Sequence, residues 1–209
     1  MGFRKLYICI ISLLVISFSI TSCSDTEKPN QPRDKSVEEN SSERQNQSRT
    51  AHLDTSSAPL YRATKKAKVE DLNLELLDGS HFQLSDQRGN VVLLNIWATW
   101  CKPCHEETPD LVHLYNKYHP DGFTILGVSV DEQSDSKVRD FVKQYNIPYP
   151  IYIDKKDKVR EKYGPYMAIP TTFIIDQEGY LEYYAAGAVT QKELEPRIRK
   201  MLGKEHSLP

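Results

Sequence analysis

Two cysteines three residues apart, Cys101 and Cys104, are the groups in this chain best suited to chemistry; they lie in the stretch Trp97-Ala-Thr-Trp-Cys-Lys-Pro-Cys-His105. At this spacing the two sulfurs can close a small disulfide ring. A low-pKa, exposed thiol beside a resolving thiol is the apparatus of thiol–disulfide exchange. The elements needed to position them are written on either side. Val91-Val-Leu-Leu-Asn-Ile-Trp97 is a nearly unbroken apolar run and reads as a buried strand. Leu111, Leu114, Tyr115 and Tyr118 then recur at helical spacing. The pair is therefore expected where a strand ends and a helix begins, with Cys101 at the helix N-terminus and Cys104 one turn inside. Unpaired N–H groups and the positive dipole end favour an anion there. Cys101 should thus ionise more readily than a free cysteine, whose pKa is about 8.5. Lys102 adds a nearby positive charge.

Other uses of a Cys-x-x-Cys pair are open on these residues. Zinc needs four ligands, usually a second Cys or His pair. No second pair exists, and His113 and His119 lie farther along the same helical stretch. A structural disulfide closing so tight a loop gains little entropy. The sharpest rival is haem, because Cys101-Lys-Pro-Cys-His105 matches the c-type attachment pattern. A cytochrome would surround that motif with helices and supply a distal ligand. Here a buried strand precedes it and Pro103 lies between the cysteines, so His105 reads as an ordinary exposed helix residue.

The stretch Asn95-Ile-Trp-Ala-Thr-Trp-Cys-Lys-Pro-Cys104 resembles the active site of the thioredoxin superfamily, and within it the membrane-tethered TlpA/ResA-like thiol:disulfide oxidoreductases. The likeness covers residues 66 to 203 and includes Pro109, which matches a helix-interrupting Pro of thioredoxins. It implies an α/β thioredoxin-like fold: a central mixed sheet flanked by helices, an N-terminal hairpin and an insertion shared with peroxiredoxin-like proteins. It implies Cys101 as attacking thiolate, Cys104 as resolving thiol, and no cofactor or metal. Asn95 stands where many thioredoxins have a buried Asp, and Glu107 matches a Glu of the TlpA/ResA-like proteins near the sulfurs, there to exchange protons. Ile169–Pro170 matches the family's cis-Pro loop facing the cysteines. With Trp100 it is expected to meet the substrate chain, whose backbone can pair beside it. Peroxiredoxins themselves use Thr-x-x-Cys after a Pro, a spacing that Ala98-Thr-Trp-Cys101 lacks. The likeness favours a reductant in an oxidising compartment, fed by a membrane electron-donor protein, with apocytochrome c as the commonest type of disulfide-bearing substrate. A positive Lys102 beside a thiolate would raise the potential, which leaves an oxidase or isomerase open.

The rest of the 209 residues gives the context. A formal net charge of −2 offers nothing to nucleic acid. Residues 1–22 read as an export signal: Arg4 and Lys5, then apolar Leu6 to Ile20, short for a membrane span. Ile20-Thr-Ser-Cys23 resembles the lipobox of bacterial lipoproteins, in which the Cys is acylated and becomes the N-terminus. Several acyl chains would hold the protein to a membrane stably. A plain secretory signal or an uncleaved anchor is the alternative. Residues 23–63 are rich in Ser, Asn, Gln and charge, with Val37 and Leu53 nearly alone as large apolar residues, and read as a flexible tether. Such a coil would reach roughly 35 Å.

The folded domain is expected over 64–204, with 205–209 as a tail. Leu72, Leu74 and Leu76, an Asp78-Gly79 turn, then Phe82 and Leu84 predict a hairpin. Gly122–Val130 predicts a second central strand parallel to the first, since a helix joins them. Val138, Phe141, Val142 and Tyr145 mark an inserted helix. A strand at Tyr149–Ile153, a short helix at Asp157–Tyr163, a hairpin turning at Asp176–Gly179 and a closing helix from Gln191 to Leu202 complete the reading.

Overall fold

The computed structural model describes residues 58–132, 135–164 and 168–205. The expected signal, Cys23 and most of the tether lie outside the described residues. In chain order the elements are strand β1 (Tyr61–Lys68), the hairpin strands β2 (Asn73–Glu75) and β3 (His81–Gln83), strand β4 (Val91–Trp97), helix α1 (Lys102–Tyr118), strand β5 (Phe123–Ser129), helix α2 (Asp135–Gln144), strand β6 (Ile151–Ile153), helix α3 (Lys158–Tyr163), strands β7 (Thr171–Ile175) and β8 (Tyr180–Ala186), and helix α4 (Gln191–Met201).

Six strands form one sheet in the order β1-β8-β7-β4-β5-β6. Strand β4 pairs parallel with β5 and antiparallel with β7, so the sheet is mixed, as expected for the fold class. Every residue of β4 is buried. The alternation of side chains along a strand explains how. Val91, Leu93 and Trp97 join a core with Leu111 and Leu114 of α1, Phe141 of α2 and Leu194 and Ile198 of α4. Val92, Leu94 and Ile96 face the other way, into a core with Leu72, Leu74 and Phe82 of the hairpin and Val159 of α3. Asn95 shares the face of Leu93 and Trp97, so the one polar side chain of the strand lies on the side covered by α1.

Gly127 of β5 stands opposite Asn95 in the ladder. A Cβ there would come within 2.6 Å of Ile151 and 3.3 Å of Tyr149, so only glycine lets β6 and its approach pack this closely. Tyr149 and Trp97 thereby both lie against Gly127.

The N-terminal border differs from the sequence-based one. The tether was expected to continue to residue 63, yet β1 starts at Tyr61 and pairs with β8, and the Ala58 N–H already donates to the Ala188 carbonyl at 2.7 Å. Almost all of β1 is exposed, so it lacks the alternating apolar pattern that announces a strand. Its place comes from main-chain pairing to the edge of β8. The inserted helix α2, the short helix α3 and the closing helix α4 lie where their apolar periodicity puts them.

Candidate active site

The β4–α1 junction carries the cysteines. Cys101 is the N-cap of α1 in extended conformation (φ −88°, ψ 105°), and Pro103 occupies the first turn, where its missing N–H costs nothing. The Cys104 N–H donates to Cys101 Sγ at 3.3 Å. A sulfur thus takes the place usually held by a Ser or Asp oxygen at an N-cap. Cys101 and Cys104 are joined as a disulfide, with Cα atoms 5.3 Å apart. Cys101 is 4% exposed and Cys104 0%. Cys101 is thus the less buried of the two, but it is buried rather than the exposed thiol expected. Trp100 beside it is 70% exposed, an unusual state for so large an apolar side chain. Lys102 is also solvent-exposed, and its ammonium lies 3.9 Å from Glu106, which blunts the charge it offers the sulfur.

Glu107 follows Cys104 by three residues, on the same helix face. It is only 3% exposed. Asn95 Nδ2 donates to its Oε1 at 2.8 Å and the Val189 N–H to its Oε2 at 3.0 Å. Asn95 Nδ2 also donates to Thr172 Oγ1 at 3.2 Å, across the β4–β7 ladder in which the two residues are partners. Burial pushes the Glu107 carboxyl up to about 8; the two donors, Val189 and Asn95, hold it back, and the Asp110 charge adds to the rise. This carboxyl can therefore hold a proton at neutral pH and release it just above. Glu106, by contrast, is exposed.

The loop before β7 carries Pro170, which is buried, and the Ile169–Pro170 bond is cis. The Gly187 N–H donates to the Pro170 carbonyl at 2.7 Å, fixing the loop from β8.

His105 is not the ordinary exposed residue expected. Its Nε2 lies 2.8 Å from the Thr99 carbonyl and its Nδ1 2.8 Å from the Tyr145 hydroxyl. With both ring nitrogens so engaged, neither is disposed to bind an iron, and the c-type attachment pattern loses its axial ligand. Thr99 is gripped from the other side as well: its N–H and hydroxyl donate to the two carboxylate oxygens of Asp131 at 2.9 and 2.6 Å. Sequence reading missed Thr99, Asp131, Tyr145 and Val189, for none carries a local signal of its role.

Comparison with known proteins agrees with this geometry. A profile of the AhpC/TSA family matches residues 66–184. The thiol-disulfide oxidoreductase ResA of Bacillus thuringiensis is 39% identical over 125 residues, 60% of this chain and 71% of that protein. The thioredoxin-like protein YneN of Bacillus subtilis is 38% identical over 149 residues, 66% of this chain and 86% of its own. Among solved structures, a secreted thiol-disulfide isomerase from Corynebacterium glutamicum superposes with a TM-score of 0.64 at 26% identity, covering 72% of this chain and 95% of that one. A thiol:disulfide interchange protein of the thioredoxin family from Chlorobium tepidum gives 0.61 at 27% identity, over 68% and 99%. The chain belongs to the AhpC/TSA family and is a thioredoxin-like thiol–disulfide oxidoreductase acting on disulfide-bearing protein substrates.

Proposed function

We propose that this oxidoreductase reduces disulfides of exported proteins, apocytochrome c among them, from a lipid anchor at Cys23 on the outer side of a bacterial membrane. The observation that carries the chemistry is the Cys104 N–H aimed at Cys101 Sγ at the helix N-cap, a donor ready for a thiolate. In the reduced enzyme the Cys101 thiolate attacks one sulfur of a substrate disulfide. A new S–S bond forms, the old one breaks, and the other substrate sulfur leaves as thiolate. Cys104 then loses its proton and attacks Cys101 Sγ, the reduced substrate departs, and the Cys101–Cys104 disulfide remains. A dithiol on a membrane electron-donor protein returns two electrons by the reverse exchange. No cofactor takes part.

Glu107 is the proton exchanger in this reading: poised at about 8, its carboxyl is ionised in part near neutrality, and that form can take the Cys104 proton as the sulfur attacks. Trp100, Ile169 and Pro170 would receive the substrate chain; the exposed indole and the cis-Pro loop support that role. The reducing direction is favoured over the oxidising one because Lys102, the residue that would tilt the pair towards an oxidase, spends its charge on solvent and Glu106. The secreted isomerase among the structural relatives and the export signal support an extracytoplasmic site. The described residues begin downstream of Cys23, so the anchor rests on sequence.

Trapping tests the proposal. Cys104→Ser recovered from cells should carry mixed disulfides on Cys101 with a restricted set of exported proteins, and Cys101→Ser should carry none. Equal, indiscriminate adducts on both variants would remove the assigned roles. Mass spectrometry of the mature N-terminus should find acylated Cys23; an unmodified or upstream N-terminus would remove the anchor.

A further inference from the structure

We infer that His105 is a positioning residue for the exchange: its Nε2–H holds the Thr99 carbonyl and so keeps the Trp100–Cys101 turn over the start of α1 once the disulfide opens. The inference rests on Cys101 being the attacking sulfur. A carbonyl oxygen only accepts, so the 2.8 Å contact to Thr99 fixes the proton on Nε2. The other ring nitrogen, Nδ1, lies 2.8 Å from the Tyr145 hydroxyl. Phe141 and Tyr145 stand edge-on to the imidazole at centroid distances of 4.9 and 5.7 Å, so the ring has a packed seat against residues of the inserted segment.

Thr99 is the other half of the clamp. Asp131 takes its N–H and hydroxyl, and Asp131 is itself fixed by Ser129 Oγ at 2.7 Å. Only Trp100 separates Thr99 from Cys101, whose N–H donates to the Ala98 carbonyl at 3.2 Å. In the oxidised enzyme the disulfide adds a side-chain tie between Cys101 and α1 to the main-chain ones, the peptide bond to Lys102 and the Cys104 and His105 N–H groups on the Cys101 carbonyl at 3.1 and 3.3 Å. Reduction removes the side-chain tie and leaves the main-chain ones. His105, being on α1, then supplies a side-chain link between the helix and the turn that carries the thiolate. The loss of this link should weigh on the reduced form more than on the oxidised one. A role confined to packing would burden both forms alike and leave the redox equilibrium unchanged.

The experiment compares wild type, His105→Phe and His105→Gln in glutathione redox buffers, and follows Cys101 alkylation by iodoacetamide. Phenylalanine keeps the ring shape and removes both hydrogen bonds; glutamine restores a donor at the position of Nε2. His105→Phe is expected to shift the equilibrium about tenfold towards the disulfide, roughly 30 mV more reducing, and to slow alkylation at neutral pH. His105→Gln should recover most of both. Nitrogen-15 NMR of the wild-type ring should show the Nε2–H tautomer in both redox states. An unchanged potential in His105→Phe would overturn the inference, as would a ring that exchanges tautomers freely in the reduced protein. If His105→Phe does not fold, the glutamine variant and the tautomer decide. A wild-type Cys101 no more reactive than a peptide thiol would sink the reading of the cysteines and this inference with it. A fast wild type matched by an equally fast phenylalanine variant would sink only the inference.

Discussion

Helix α1 meets a carboxylate at each end, and the two are driven in opposite directions. Near its start, Glu107 is sealed under the sheet with two neutral donors, the Asn95 amide and the Val189 N–H, and is pushed up to about 8. Near its end, Lys117 and Tyr118 reach Glu195 of α4 at 2.7 and 2.5 Å, Gln191 Nε2 adds a third contact at 2.9 Å, and the carboxyl is held down at about 2, chiefly by the Lys117 and Tyr118 hydrogen bonds. The difference is a cation and water. Glu195 has both and stays ionised. Glu107 has neither, and neutral donors do not repay the burial of its charge. One end of the helix therefore stores a proton at some expense in stability, and the other end fastens two helices together.

Variants that act on one end only can break this contrast. The largest effect belongs to Cys101→Ser, which should abolish disulfide exchange while leaving the urea midpoint of the reduced protein close to that of the reduced wild type. An insulin-reduction assay beside a denaturation curve checks both halves; residual turnover near the wild-type rate would mean that the sulfur at the N-cap is not the nucleophile. Next is Asn95→Asp. It sets a second carboxyl against Glu107, where an amide now donates at 2.8 Å. The two must share protons, so the variant should lose about 3 kcal/mol at pH 8 and much less at pH 5. A loss independent of pH would show that the Asn95 site is not electrostatically joined to Glu107.

The same contrast governs what could be read from the sequence. The β4–α1 junction was legible because three signals coincide within thirty residues: a doubly buried strand, a Cys-x-x-Cys pair and a helical apolar stripe. The inserted helix was legible from Val138 and Phe141, both buried as their spacing predicts. What failed depends on partners distant in the chain. Glu107 was singled out through resemblance, but its Val189 donor is 82 residues away, in a loop with no pattern. His105 reads as exposed in the sequence since its partners, Thr99 and Tyr145, are 6 and 40 residues off, and a helical wheel does not see a main-chain carbonyl on the preceding turn. Strand β1 escaped because an exposed edge strand is held by main-chain pairing rather than by an apolar face.

Two carboxylate variants sharpen the comparison. Glu107 ionises at about 8 in the folded chain against an ordinary 4.5. Between those values the folded form binds more protons than the unfolded one, so stability must fall as pH rises from about 4.5 to about 8 and level off beyond. Glu107→Gln lacks this dependence. At low pH it should be less stable by about 1 kcal/mol, because its amide turns a donor towards Asn95 or Val189, and as pH rises the gap should close and then reverse, the variant becoming the more stable. Urea midpoints at pH 4, 6 and 8.5 read this directly, and parallel curves for the two proteins would contradict it. Its pH–rate profile for exchange should shift as well.

Glu195→Gln should give the smallest change and the opposite sign of pH dependence. The folded carboxyl lies at about 2 against an ordinary 4.5, so its contribution is complete above about 4.5 and disappears as pH falls through about 2. The Lys117 partner is half exposed, so the ion pair is screened and worth little. Glutamine also keeps an acceptor for Tyr118. The expected cost at pH 7 is about 3 °C in Tm, shrinking with added salt and vanishing near pH 2, with disulfide exchange unaltered. Thermal melts at low and high ionic strength check it. A large loss insensitive to salt would mean that packing between α1 and α4, and not charge, secures the far end of the helix, and the two ends would then differ in burial alone.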